Sequence, residues 1–307
     1  VTALSRAARA AYPLLAASLQ QETGIDSELY PCGMLMLDAE DARDALAWAA
    51  SEREPIERLE AAALAQRWPV LDRGWQEGLC MPGVAHVRNP RLLQALQASL
   101  QRLGVAVVTG AEVVQALPDG ERIARLRIAD GREVAADQVV VCGGAWSSAL
   151  LARMTPGVAL PVRPVKGQML LYRARPGLLP CMVMSQGRYL IPRRDGHILC
   201  GSTLEEAGFD KDVSAAARQS LMQTAARLLP VLAGQEPVAH WAGLRPGSPN
   251  GIPYIGRVPA ISNLWLNTGH FRNGLVLAPA SARLLADLLT GREPQLDPGP
   301  YRLDALR

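Results

Sequence analysis

The chain has 307 residues, of which 49% are hydrophobic and 20% charged, enough to bury a large core divided between two lobes. Lysine and arginine number 32 against 29 acidic residues and form no basic block, so nucleic acid is excluded as an expected partner. Apolar stretches fall short of the roughly 20 residues that span a membrane, and no signal core opens the chain, so we expect a cytoplasmic protein without a membrane partner.

The first predicted element is a helix over residues 2–21, with apolar residues at helical spacing and Gly24 as its stop. A strand is predicted in the run YPCGMLML. Two further helices are predicted between residues 40 and 68, the second starting at Pro55 and ending at Pro69.

The middle of the chain predicts a helix capped by Asn89 and ended by Gly104, leading into the strand VAVVTG. Asp130-Gly131 is typical of a hairpin turn, and we expect its second strand to continue into QVVVCGGAW. Gly143 and Gly144 then end a buried strand at a point where a ligand or another backbone can approach.

The third part predicts strands in PVRPVKGQMLLYRA and PVAHWAGLRPG, and a hairpin across Asp195-Gly196. Ser214 is a predicted cap for the amphipathic helix that follows it. A long antiparallel sheet is the expected result.

Helix-strand units typical of parallel sheets are predicted near residues 90–145 and 263–290, with antiparallel strands predicted between them. The predicted fold class is therefore α/β with α+β elements, built as two interleaved lobes. One lobe takes 1–26, 84–160 and 245–307; the other takes 27–83 and 161–244.

Three polar side chains stand in apolar surroundings: Tyr189, Arg245 and Arg272. Two guanidinium groups lining one cavity would suit a small anionic substrate, and a tyrosine hydroxyl could add a further hydrogen bond. The alternatives are that both arginines pair with acidic residues, and that Tyr189 is a core residue with a satisfied hydroxyl.

The stretch 267–291 predicts a strand ending at Gly269, a glycine-bearing loop and a helix that stops at Gly291. The amino end of such a helix can face an anion, including the negatively charged edge of a reduced flavin. The five cysteines form no CxxC pair and are expected to be reduced packing residues, and a metal site has little support.

Four motifs together resemble the D-amino acid oxidase family of flavoproteins, and within it the glycine-oxidising branch linked to thiamine biosynthesis. They are GGAW, PVRPVKGQ, WAGLRPGSPNGIPYIGRVP and NTGHFRNGLVLAPASARLLADLL. The resemblance runs from about residue 24 to residue 292. It implies an FAD-binding domain, a substrate domain built on an antiparallel sheet, and often a homo-oligomer.

The activity that the resemblance implies is oxidation of glycine or a similar small amino acid by FAD and molecular oxygen. The products would be an imine, which hydrolyses or feeds thiazole synthesis, and hydrogen peroxide. Arg245 would bind the substrate carboxylate with help from Tyr189 and Arg272, and Leu204 would narrow the pocket. No strong general base is expected, because a bound neutral amine can release hydride once it is aligned.

The resemblance also implies two groups of cofactor contacts. The flavin ring and ribityl chain would contact Gly269, His270, Phe271, Arg272, Asn273, Gly274, Leu275 and Val276. The adenine end would lie near Val113, Gly143 and Gly144.

Two features depart from the family pattern. Gly187 stands where some members carry a histidine, which bears on substrate preference. The strand-GxGxxG-helix unit that opens the family is not found in this sequence, which starts at Val1, so the Rossmann-like FAD domain is incomplete here and we expect that unit to lie elsewhere. Alternatives are an oxidase or dehydrogenase for D-amino acids or sarcosine, and a non-catalytic remnant.

Overall fold

The computed structural model describes residues 1–37, 39–259 and 261–306. The helices are α1 Thr2–Thr23, α2 Ala39–Glu52, α3 Ala61–Arg67, α4 Asn89–Arg102, α5 Ser147–Met154, α6 Ala215–Leu228 and α7 Gly274–Leu289. The strands are β1 Met34–Met36, β2 Glu57–Glu60, β3 Glu77–Met81, β4 Val113–Asp119, β5 Arg122–Ile128, β6 Glu133–Ala135, β7 Val139–Val141, β8 Arg163–Arg173, β9 Met182–Ser185, β10 Arg188–Pro192, β11 His197–Gly201, β12 Ala239–Gly247, β13 Tyr254–Arg257 and β14 Leu264–Thr268.

The largest sheet has eight strands in the order β12-β8-β11-β10-β9-β1-β3-β2. All neighbours are antiparallel except β1 and β9, which run parallel. Apolar side chains of α3 and α6 pack with the sheet in one cluster, which includes Leu64, Leu170, Leu190 and Leu221. Since strand side chains alternate between faces, the residues between these core positions point to the opposite side of the sheet.

A smaller sheet has the order β13-β14-β7, in which β14 and β7 are parallel. α1 and α7 pack on it through a cluster that includes Leu4, Ile255, Leu277 and Leu284. The carboxyl ends of two parallel neighbours meet at one sheet edge, which is where open α/β sheets bind ligands. A third sheet contains β4, β5 and β6.

Several local predictions are confirmed. α1 ends at Gly24, which has a left-handed φ of 73°. The hairpin turns carry Gly131 at φ 90° and Gly196 at φ 87°, values that favour glycine. The Ser214 Oγ accepts a hydrogen bond from the Ala217 N–H at 3.3 Å, so the predicted cap of α6 is present.

The predicted helix from Pro55 is wrong at its start. Residues 57–60 form β2, which completes the ladder of β3 and buries Leu59, and α3 begins only at Ala61. The cap of α4 is Arg88, while Asn89 is already helical. In the first case the pairing with β3 outweighs the local helix signal.

The predicted strand at residues 105–110 is not formed either. Val105, Val107 and Val108 are exposed, and within the described chain no strand pairs with this segment. β6 and β7 belong to different sheets, so the hairpin strand does not continue into QVVV. A strand needs a hydrogen-bonding neighbour, which apolar composition alone does not provide.

Three other expectations have mixed outcomes. All cysteines are free, but Cys142 is exposed rather than packed. The large sheet takes strands from 34–81 and 163–247, and the two-lobe division stays a prediction. Over the described residues, no helix combines the length and the apolar character needed to cross a membrane.

A buried pair ties the segment before α4 to the end of β10. The Arg193 Nη1 lies 2.8 Å from the His86 Nδ1 and donates to the Val87 carbonyl at 2.7 Å. Because a guanidinium only donates, Nδ1 is the acceptor and His86 is neutral. Burial, with the nearby Arg193 charge, lowers the pKa of His86 from 6.5 to about 4.

This pKa predicts a stability that depends on pH. Unfolded His86 takes up a proton near pH 6.5 and folded His86 only near about 4, so stability is complete above this window and falls as the pH drops through it. In His86→Gln we expect the slope of unfolding free energy between these pH values to decrease by up to about 1.4 kcal/mol per pH unit. Denaturant unfolding at a series of pH values measures it, and an unchanged slope contradicts the assignment.

Candidate active site

A cavity of about 490 Å³ opens on the large sheet, on the face opposite the one against which α3 and α6 pack. Its lining residues are Tyr189, Ser202, Arg245, Asn250, Gly251, Phe271, Arg272 and Asn273. The three side chains that the sequence singled out for an anionic substrate therefore lie at one cavity. We call it the Arg245 cavity.

Strand register places the polar side chains on this face. Tyr189 on β10 is opposite Gly201 on β11, which is opposite Met169 on β8, and directly opposed residues point to the same side of a sheet. A Cβ on Gly201 would lie 3.1 Å from the Tyr189 ring and 2.9 Å from the Met169 Cε. The absence of a side chain at Gly201 thus leaves room for the tyrosine ring.

Arg245 lies on the backbone of β8. A Cβ on Gly167 would come within 2.1 Å of the Arg245 Nη1 and 2.5 Å of its Cζ, a distance that no side chain can occupy. The guanidinium donates to the Ser202 Oγ at 2.7 Å, to the Thr203 carbonyl at 3.3 Å and to the Lys166 carbonyl at 3.4 Å. Gly167 is therefore required for this position of Arg245.

All of these acceptors are neutral. Neither Arg245 nor Arg272 forms an ion pair with any carboxylate in the described parts of the chain, which contradicts the alternative that acidic residues neutralise them. Burial lowers the pKa of Arg245, the nearby Arg272 charge lowers it further, and interaction with Tyr189 opposes this. Arginine nevertheless stays protonated, so the cavity wall carries uncompensated positive charge.

Buried polar groups hold the wall segment after β11 in place. The Thr203 Oγ1 accepts from the Gln168 N–H at 2.8 Å and donates to the Glu205 carboxylate. The Gln168 amide donates to the same carboxylate at 2.9 Å and accepts from the Ser214 N–H at 2.9 Å. Because Gln168 is fully buried, this network fixes the backbone on both sides of Thr203.

The second wall is the loop between β14 and α7. Gly269 has a φ of 76° and Phe271 a φ of 47°, and such a conformation in a bulky residue is typical of functional loops. α7 begins after Asn273 without a side-chain cap. Its first N–H groups thus lie beside the cavity, where they favour negative charge.

Two contacts fix the start of α7. The Tyr12 hydroxyl of α1 donates to the Leu275 carbonyl, and burial raises the pKa of Tyr12 to about 12, so it stays a donor. The His270 Nε2 lies 3.2 Å from the Ser281 Oγ. Since Ser281 donates to the Leu277 carbonyl at 2.9 Å, it accepts from His270, whose pKa burial lowers to about 4.

The glycine turn after β7 joins the same region. The Thr268 Oγ1 donates to the Gly144 carbonyl at 3.2 Å and lies 2.7 Å from the Ser147 Oγ. Gly144 has a φ of 55°. The two glycine-bearing turns that the sequence predicted as ligand contacts are therefore neighbours at the carboxyl ends of β7 and β14.

The other sequence-predicted residues lie outside the cavity lining. Leu204 is 59% exposed and does not line the cavity. Val113 begins β4 and packs on the cluster that contains Val139 of β7. Of the predicted flavin contacts, Phe271, Arg272 and Asn273 line the cavity, while Gly269, His270, Gly274, Leu275 and Val276 flank it. Their roles toward a ligand stay predictions.

Sequence reasoning missed three lining residues. Ser202 sits in the same GST segment that drew attention to Leu204, and Asn250 and Gly251 follow the arginine motif. Asn250 has a φ of 55°, a conformation that asparagine tolerates. The Asn-Gly pair was the available signal, since it is typical of tight turns.

Comparisons with known proteins agree with one another. The family model described as FAD dependent oxidoreductase matches residues 2–288. The chain is 52% identical to a glycine oxidase of Pseudomonas aeruginosa, over 98% of this chain and 82% of that protein. It is 32% identical to a bifunctional ThiO/ThiG protein of Trichormus variabilis, over 94% of this chain and 44% of that protein.

A solved structure is similar as well. The crystal structure of glycine oxidase from Geobacillus kaustophilus matches with a TM-score of 0.92 and 32% identity. The match covers 99% of this chain and 83% of that one.

The position of Arg245 gives a test of the anion site. Gly167→Ala places a Cβ within 2.1 Å of the Arg245 Nη1, so the guanidinium must move away from Ser202. We expect the affinity for acetate, measured by calorimetry, to fall by about 10- to 100-fold, the range for hydrogen bonds to a charged group.

The matched control is Gly243→Ala, directly across the ladder, where an added Cβ meets no atom within 4 Å. It should bind acetate as the parent protein does. Equal losses in both variants, or none in Gly167→Ala, would contradict the role of Gly167.

Proposed function

Since the chain belongs to the FAD-dependent oxidoreductases of the D-amino acid oxidase type, we propose that it oxidises glycine with molecular oxygen. The products are the imine, which hydrolyses to glyoxylate and ammonia, and hydrogen peroxide. The high identity to glycine oxidases over nearly the whole chain supports this substrate. The likeness to ThiO/ThiG proteins supports a place in thiazole formation for thiamine.

One observation carries the proposal: Arg245 and Arg272 line one cavity, and neither forms an ion pair in the described chain. Arg245 is partly buried, whereas Arg272 is exposed to solvent. A charge at the edge of a low-dielectric wall, as on Arg245, needs an opposite charge or strong hydration. A substrate carboxylate supplies the opposite charge. Arg245 can donate to it with the N–H groups that are not bonded to Lys166, Ser202 or Thr203. Tyr189 adds a hydroxyl from the adjacent wall.

The residues present fit a flavin beside this carboxylate site. The uncapped amino end of α7 and the loop from Gly269 to Asn273 form one side of the cavity, and helix N–H groups suit the negative charge of a reduced ring. We assign this loop, with Gly274, Leu275 and Val276, to the flavin end and Val113, Gly143 and Gly144 to the adenine end. FAD, when bound, supplies the two-electron acceptor that turns an amine into an imine and is reoxidised by oxygen.

The chain's own contribution is to bind and orient. With its carboxylate on Arg245 and Arg272, a substrate as small as glycine has its α-carbon held a fixed distance from the α7 loop. No carboxylate or histidine is among the described lining residues, so none is available at the cavity wall to take a proton from the α-carbon. Positioning of a neutral amine therefore provides the catalysis.

We further propose that the protein acts in the cytoplasm, as expected from its sequence, and that it forms a homo-oligomer, as the family resemblance implies. Sarcosine and D-amino acids are the competing substrates, because Gly187 stands where some relatives have a histidine. The loss of that side chain changes the polarity near Tyr189, which lies two residues further along.

The proposed function is tested with full-length, FAD-loaded protein. Peroxide formation and anaerobic bleaching of the flavin are followed with glycine, sarcosine and D-alanine. We expect the highest kcat/KM with glycine. A several-fold preference for either other amine would assign the enzyme to that substrate, and a colourless protein without peroxide formation would support the non-catalytic alternative.

The pH dependence tests the absence of a protein base. Because the amine must be neutral to react, kcat/KM should rise with pH as the substrate ammonium loses its proton. His270, with its pKa near 4, adds no inflection between pH 5 and 8. The midpoint should move with the amine pKa when sarcosine replaces glycine, and a midpoint that stays fixed would indicate a protein base.

A further inference from the structure

Ser202 is a cavity residue whose hydroxyl proton is uncommitted. Its Oγ lies 2.7 Å from the Arg245 Nη2, and a guanidinium has donors only, so the serine oxygen is the acceptor in this contact. Within the described chain, no carbonyl or carboxylate accepts the Ser202 proton. The hydroxyl therefore keeps one donor for an occupant of the cavity.

The position of this donor is set before any ligand arrives. Ser202 follows Gly201 at the end of β11, and Thr203 is anchored on the buried Gln168 backbone at 2.8 Å. Two backbone hydrogen bonds of 2.9 Å between Lys166 and Glu205 fix the segment further along. Little side-chain entropy remains to be lost when the hydroxyl binds, since its oxygen is already held by Arg245.

The acceptor that suits this donor is an anionic oxygen. Arg245 polarises the Ser202 O–H by donating to its oxygen, and a hydroxyl polarised in this way donates more strongly. Around it stand Tyr189 and Arg272, which are further donors. A carboxylate oxygen accepts several such hydrogen bonds at once, whereas a neutral amine accepts one.

We propose that Ser202 is a substrate-binding residue that donates its hydroxyl proton to the substrate carboxylate, next to Arg245. The inference rests on the proposed function, because it takes the occupant of the cavity to be an amino acid. It assigns to Ser202 two simultaneous hydrogen bonds, one accepted from the guanidinium and one donated to the acid. Its effect is on affinity for acids, since the α-carbon and the amine are not its partners.

The experiment compares Ser202→Ala with Ser202→Thr, which keeps a hydroxyl, in FAD-loaded full-length protein. Acetate dissociation constants are measured by calorimetry, and KM and kcat with glycine. In Ser202→Ala we expect acetate binding and KM to weaken by about 10-fold or more, the range for a hydrogen bond to a charged group, with kcat changed by less than about 3-fold. Ser202→Thr should recover most of the loss.

The matched control is Ser51→Ala, which removes an exposed hydroxyl that donates to the Trp48 carbonyl at 2.8 Å. It should bind acetate as the parent does. Acetate affinity within 2-fold of the parent in Ser202→Ala would overturn the proposal. So would a loss that falls on kcat alone.

A double-mutant cycle separates a direct donor from a residue that only positions Arg245. In an Arg245→Lys background the serine no longer faces a guanidinium, yet a direct donor should still strengthen acetate binding by about 3-fold or more. No residual effect of Ser202→Ala in that background would overturn the direct contact.

The same variants distinguish a failure of the proposed function from a failure of this inference. If Arg245→Lys leaves acetate binding and glycine turnover unchanged, the carboxylate site itself is wrong. If Arg245→Lys weakens both and Ser202→Ala changes neither, only the role of Ser202 is wrong.

Discussion

The whole site depends on the Arg245 guanidinium, whose hydrogen-bond acceptors in the described chain are all neutral. Arg245 lies against Gly167 and donates to one hydroxyl and two carbonyls. Neutral acceptors orient a charge, but they offset only part of the cost of removing it from water. The fold therefore orients the guanidinium, and a bound anion offsets the rest of the cost of burying its charge. Because the compensation within the protein is incomplete, Arg245 can bind an anion.

The same positive potential serves two purposes in amine oxidation. It binds the carboxylate, and it opposes a positive charge on the ammonium a few ångströms away, because like charges disfavour the protonated form. A second cation, Arg272, strengthens both effects and lies close enough to act on Arg245 itself. A carboxylate in the wall would weaken substrate binding and stabilise the ammonium. The absence of a carboxylate among the described lining residues thus serves the function as the two arginines do.

Local chemistry made part of the fold predictable from the sequence. Gly24, Asp130-Gly131 and the Ser214 cap act within a few residues, so their signals do not depend on the rest of the chain. Residues 57–60 and 105–110 show the limit, because whether an apolar segment forms a strand depends on a partner distant in sequence. β3 provides that partner in the first case. The second segment has none in the described chain, although its composition is the more strand-like.

The sequence predicted those site residues whose chemical type is unusual for their surroundings, and it did not predict the others. Arg245, Tyr189 and Arg272 stand out because charged or polar groups in apolar segments need a reason, and the cavity unites them. Ser202 gives no such signal: serine is common, and its importance comes from lying 2.7 Å from a guanidinium on another strand. Leu204, two residues later, was chosen by resemblance and is not among the residues that line the cavity. Ser202 could be recognised as a binding residue only from the structure, because its free donor follows from the hydrogen bond that it accepts from Arg245.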